Sequence, residues 1–126
     1  MASFGNISNL LKETIDVLND YELTFDDVLW IGCDDYTISI EQFKELANNT
    51  YDKGYGAPKV AIDLKIVGKD WWLEREEYDG MEWWEFNTPP LKPKQNKKID
   101  RLIFDKKVWG GWQTLRELNE EDTNND

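Results

Sequence analysis

The sequence predicts an α+β fold in which an antiparallel sheet of about four or five strands packs against two helices. Three observations predict it. Apolar residues recur at helical spacing near the N-terminus and again after residue 39; a period-two pattern runs from Ala61 to Phe86; and the two patterns share a chain of 126 residues, a length suited to one domain.

Ile7, Leu10, Leu11, Ile15 and Leu18 fall on one helical face, with Asn6 placed as N-cap. Thr24 precedes Phe25-Asp26-Asp27 and can cap a short turn. Val28 to Cys33 is a bounded apolar run whose length suits a buried strand, and Asp34-Asp35 is the turn that leaves it. Ser39-Ile40-Glu41-Gln42 has capping-box spacing, so a second helix starts there, carrying Phe43, Leu46 and Ala47 on one face and ending at Asn48-Asn49. Tyr51 to Pro58, with Gly54, Gly56 and Pro58, is expected as a loop; without a following Lys-Ser/Thr it is no phosphate loop.

Period two then takes over. Ile62, Leu64 and Ile66, next Trp71 and Leu73, and finally Trp84 and Phe86 are separated by Gly68-Lys69-Asp70 and Asp79-Gly80, which predicts a three-stranded meander. Consecutive strand residues point to opposite faces, so Trp71-Trp72 and Trp83-Trp84 each send one indole inward and one outward. Pro89, Pro90 and Pro93 with Lys92, Lys94, Lys97 and Lys98 form a basic extended linker over 89–98. Leu102-Ile103-Phe104 is expected as a fourth strand, Trp109 to Trp112 as a turn, Leu115 and Leu118 as part of a short closing helix, and 120–126 as a mobile acidic tail. The core is expected to hold Trp30, Leu64, Ile66, Leu73 and Phe86.

Composition restricts the chemistry. Fifteen basic against 26 acidic residues leave a net charge of −11, which repels a nucleic-acid backbone and an anionic membrane surface, so direct binding to either is not expected. The chain has no histidine, which removes the commonest general base, the Ser-His and Cys-His dyads and the usual zinc ligand. A single Cys33 has no internal disulfide partner and reads as a small buried hydrophobe in a reducing, cytoplasmic setting. Neither a charged n-region with an apolar h-region nor an apolar stretch of about 18 residues occurs in the sequence, so secretion and membrane spanning are not expected, and no cofactor is called for.

The densest unit runs from Trp71 to Phe86, with four tryptophans and one tyrosine among carboxylates. Aromatic anchors ringed by polar groups compose a protein-binding hot spot, because a planar side chain buries much area with little loss of rotamer freedom. Trp72, Glu74, Glu76, Tyr78, Trp83 and Glu85 are the candidate binding residues. The bland alternative is a two-sided sheet whose second face is covered. Base stacking normally comes with a positive groove, so single-stranded nucleic acid fits poorly, whereas hydroxyl-rich ligands fit an aromatic platform with acidic acceptors.

Glu74, Glu76, Glu77, Glu82 and Glu85 invite a two-carboxylate glycosidase, yet five carboxylates on one hairpin read as a solvated face, and catalysis is not expected. Asp26-Asp27 and Asp34-Asp35 lack the spacing of a calcium loop and read as cap and turn residues. Ten acidic residues and only Lys44 as a base lie between Glu13 and Glu45, while Lys92 to Lys107 holds seven basic against two acidic residues. A single-signed acidic surface can occupy a site built for nucleic acid, or can pair with the chain's own basic linker.

Asp27 to Gly32, Gly54-Tyr55-Gly56 and above all Trp71 to Gly80 with Glu82 to Phe86 resemble a family of small proteins encoded by phages and prophages of Gram-positive bacteria. The resemblance spans roughly residues 24 to 90. It implies a setting, the cytoplasm of an infected host cell, and no activity or site residues. Small acidic phage proteins include inhibitors of host nucleic-acid machinery, among them anti-CRISPR proteins that fill a DNA-binding channel; this is an analogy of class.

The expectation is therefore a phage accessory protein that acts as an acidic protein-binding module on a host protein, a nucleic-acid-binding factor being one candidate target that it would inhibit. Two alternatives stand beside it: a carbohydrate or nucleotide binder, and a homo-oligomeric structural component.

Overall fold

The computed structural model describes residues 7–54, 56–104 and 110–120. Its architecture is α+β. In chain order the elements are β1 (Ile7–Asn9), α1 (Leu10–Asp20), a 3-10 turn (Phe25–Asp27), β2 (Val28–Gly32), β3 (Thr37–Ile38), α2 (Ile40–Ala47), β4 (Thr50–Asp52), β5 (Lys65–Gly68), β6 (Trp71–Tyr78), β7 (Met81–Asn87) and α3 (Leu115–Glu120). The main sheet is five-stranded and antiparallel in the order β3-β2-β5-β6-β7, and β1 pairs with β4 in a separate two-stranded sheet. Contacts divide the chain into two compact units, Met1–Pro90 and Leu91–Asp126, and the boundary falls inside the linker expected over 89–98.

The first unit holds both sheets and two helices. Asn9 ends β1 and also caps α1, its side chain accepting the Lys12 backbone N–H at 2.9 Å. The expected cap, Asn6, lies outside the described residues. Thr24 and Asp27 form a reciprocal capping box around the 3-10 turn, and Ser39 accepts the Gln42 N–H at 3.0 Å to start α2. Leu46, expected beside Phe43 and Ala47 on the inner face, is exposed instead.

One row of side chains crosses the whole sheet in register: Ile38, Ile31, Ile66, Leu73 and Phe86. Ile31, Ile66 and Leu73 have no solvent exposure, and Leu18 of α1 with Phe43 and Ala47 of α2 completes the same cluster. Trp71 and Trp84 are the inward indoles. Gly68 permits this, because a Cβ there would stand 2.1 Å from the Trp71 ring. Trp71 in turn stacks on Phe86, which stacks on Tyr21 with centroids 3.7 Å apart.

Several expectations are corrected. Trp30, assigned to the core, is half-buried and pairs with Val67 in the row that contains Trp72, because a register shift between Val28 and Trp30 turns it to the opposite face. Leu64 and Phe86 are only partly buried against the core. Ile62 is 74% exposed: an Ala61 to Leu64 turn, closed by the Leu64 N–H on the Ala61 carbonyl, delays β5 to Lys65. The segment expected as a loop from Tyr51 begins inside β4. Cys33 is half-buried rather than buried.

In the second unit, Leu102 to Phe104 form no strand. Just before them the Asn119 side chain accepts the N–H groups of Asp100 and Arg101 and donates to the Arg101 carbonyl, which ties the chain at 100–101 to the residue range 115–120. The closing helix expected around Leu115 and Leu118 is α3, where Thr114 and Glu117 exchange side-chain-to-backbone bonds at its start. Trp109 and, apart from Glu120, the tail over 120–126 lie outside the described residues.

Candidate functional site

The Asp79-Gly80 turn fixes the site. Both residues have positive φ, 51° and 87°, the conformation of a two-residue type I′ turn whose twist matches the flanking strands. Tyr78 then faces Met81, and the register continues through Glu76 with Trp83, Glu74 with Glu85 and Trp72 with Asn87. Residues directly opposite in antiparallel strands project to the same face. Trp72, Glu74, Glu76, Tyr78, Trp83 and Glu85 therefore share the outer face of β6 and β7, joined by Met81 and Asn87, which sequence reasoning did not single out. The signal for those two was present: past a two-residue turn, odd positions of the second strand share a face with even positions of the first.

Glu74 and Glu85 face each other, a like-charge pair that is unfavourable unless donors are supplied. Each strand supplies one at i−2. The Trp72 indole N–H donates to Glu74 at 3.0 Å and the Trp83 indole N–H to Glu85 at 2.8 Å, while the Asn87 amide adds a second bond to Glu74 at 2.9 Å. These bonds fix both indoles against the sheet. Trp83 stays 37% exposed and Tyr78 76% exposed, Glu76 and Glu85 face solvent, and Trp72 and Glu74 are half-buried. Lys65, facing Glu74 from β5, is held by Asp34 at 3.2 Å. The face is aromatic and negative.

Behind it lies an ionic network that the sequence reading missed. Glu82, grouped with the solvated carboxylates of the hairpin, is 2% exposed and points into the core-facing side. Arg75, the lone base of that segment, is buried beside it with Nη2 2.9 Å from Glu82 and Nη1 3.5 Å from Glu13 of α1. Tyr51 donates to Glu13 at 2.6 Å and accepts from Arg75 at 3.2 Å. Ser8 also donates to Glu13, and Lys53 lies 3.4 Å from it. The Arg75 guanidinium covers the Trp84 ring at 4.8 Å, and the Trp84 N–H donates to Thr14 at 2.9 Å.

These contacts decide protonation. Burial opposes the charged form of Glu82, but the Lys59 backbone N–H, the Arg75 guanidinium and the Val60 N–H outweigh it and hold the carboxyl below its ordinary 4.5. Burial, followed by the Glu13 carboxylate, pushes the Tyr51 phenol well above its ordinary 10.0. Glu82 is thus an ionised strut that ties the 59–60 segment to the hairpin, the opposite of a carboxyl kept protonated as a general acid. Among the described residues no group of acidic or thiol side chains is placed to hold a metal ion, and no helix is long and apolar enough to cross a membrane.

Comparison of the chain with family models, with curated proteins and with solved structures finds no match.

Proposed function

We propose that this chain is a protein-binding module without catalytic chemistry, a phage accessory protein that docks the outer face of β6 and β7 on a basic surface of a host nucleic-acid-binding protein. One observation carries the reading: Trp72, Tyr78 and Trp83 occupy one sheet face with Glu74, Glu76 and Glu85, and the indole N–H groups are spent on the carboxylates. Such a face offers planar apolar area beside fixed negative charge. Arginine answers both features, since its guanidinium pairs with carboxylate and stacks on aromatic rings. Surfaces that bind nucleic acid are rich in arginine, and the net charge of −11 steers such a partner toward this chain. The phage setting is supported by the sequence resemblance over the hairpin.

The test is affinity capture from a Gram-positive host lysate followed by competition. A partner that carries this function is released by double-stranded DNA and by raised salt, and its recovery falls at least about tenfold with Trp83→Ala or Glu76→Lys. Undiminished recovery with both variants removes the outer face from the account. A partner retained in the presence of DNA removes the nucleic-acid-binding target.

A further inference from the structure

The chain leaves β7 through Thr88-Pro89-Pro90-Leu91-Lys92-Pro93-Lys94, a run whose conformation the sequence restricts almost residue by residue. Pro89, Pro90 and Pro93 hold φ at about −65° through their rings. Thr88, Pro89 and Lys92 each precede a proline, whose ring disfavours the helical region and leaves extended backbone. From Thr88 to Pro93 only Leu91 escapes both restrictions. In the structure the run belongs to no helix or strand, and none of it has a positive φ. Among the described residues no hydrogen bond or ion pair involves Pro89 to Asn96. Polyproline II answers this description, being extended, solvated and without internal hydrogen bonds.

Three residues per turn sort the side chains into ridges. Pro90 and Pro93 share one, Leu91 and Lys94 the next, and Pro89 and Lys92 the third. Two adjacent ridges therefore present Pro90, Leu91 and Pro93 as one apolar strip with Lys94 at its end. Every residue from Thr88 to Lys98 is exposed, and Leu91 keeps 92% of its surface in water, so no described residue covers the strip. Lys92, Lys94, Lys97 and Lys98 carry the only charges between Glu85 and Asp100. Of these, Lys97 alone is paired among the described residues, with Glu120 at 2.8 Å.

A proline ridge that ends in a cation complements a groove lined by aromatic rings and closed by a carboxylate: the rings pack on the prolines and the carboxylate takes the lysine. Phosphates would engage the lysines and leave the apolar strip in water. We infer that Pro89 to Lys94 is a polyproline II recognition segment that docks in an aromatic-lined groove of a partner protein. Pro90, Leu91 and Pro93 lie against the rings, and Lys94 meets a carboxylate at the groove's end. The prolines hold the bound conformation in the free chain, so little freedom is lost on docking. This segment and the outer face of β6 and β7 are separate surfaces, and neither reading requires the other.

The test titrates the full chain into an isotope-labelled SH3 domain whose aromatic groove ends in acidic residues, and follows the amide and indole resonances of that domain. Saturable shifts confined to the groove are expected. Replacing Pro90 and Pro93 together by alanine is expected to weaken binding at least about tenfold, and Lys94→Glu roughly tenfold. Both variants keep the unfolding midpoint of the parent chain, because the replaced side chains are exposed and unpaired. Trp83→Ala is expected to leave the groove shifts unchanged while it reduces capture of the outer-face partner, so the two readings fail separately. Absence of saturable groove shifts, or equal binding by the double proline variant, overturns the inference. Equal retention of the parent chain and that variant on anionic phospholipid vesicles or on double-stranded DNA, without groove shifts, overturns it in favour of lysines acting as bare charges.

Discussion

Arg75 is the side chain on which the hairpin's inner face depends. Two carboxylates, a phenol and an indole converge on it, and its side chain is 4% exposed. Removing one partner of a buried pair leaves the other charge desolvated, which is far more costly than removing both. Arg75→Met is therefore expected to destabilise the fold by about 3–5 kcal/mol, read from the midpoint of denaturant unfolding. Glu82 makes a separate statement about pH. Its carboxyl is held below 4.5, so the unfolded chain takes up the proton first as pH falls, and the stabilisation is complete above about pH 4.5 and lost through the depressed value. Glu82→Gln is expected to flatten that acid limb of stability against pH, and an unchanged limb would show that other carboxylates produce it.

At the scale of the element, the hairpin is specified by backbone conformation and by one close approach. Asp79-Gly80 supplies the two positive φ angles of its turn, and Gly68 supplies the space in which the Trp71 indole lies flat over β5. A methyl group at Gly68 meets the indole at 2.1 Å, so either the ring leaves its stack on Phe86 or the strands separate. Gly68→Ala is expected to cost roughly 1–3 kcal/mol by overpacking, with a shift in tryptophan emission as Trp71 moves. Unaltered emission and stability would place the ring elsewhere.

At the scale of the whole molecule, charge is unevenly distributed: the acidic residues from Glu13 to Glu45 and those of the hairpin belong to Met1–Pro90, while Lys92 to Lys107 belongs to the second unit. A negative field of this size acts on association more than on folding. Glu76 and Glu85 are exposed, and replacing both by lysine is expected to change stability by less than about 1 kcal/mol while slowing association with the captured partner and lowering its salt dependence. Calorimetry and stopped-flow mixing at two salt concentrations separate the two effects. A loss of folding stability as large as the loss of binding would mean that the outer face is structural.

Sequence alone determined the local terms. Capping at Thr24 and Ser39, the meander, the turn at Asp79-Gly80 and the parity that sets Trp72 with Trp83 and Trp71 with Trp84 all follow from neighbours in the chain, because a period of two and a two-residue turn leave no freedom in register. Which face turns inward was decided by tertiary structure. Thr14 meets Trp84 across 70 positions and Glu13 meets Arg75 across 62, and no local pattern reports that α1 lies on that side. The same reason accounts for Glu82, whose sequence neighbours are those of a solvated carboxylate and whose partners come from 59–60 and Arg75. It accounts as well for Trp30, turned outward by a register shift that only pairing with β5 produces. Periodicity is a property of adjacent residues, whereas burial and charge pairing are properties of whatever the folded chain brings alongside.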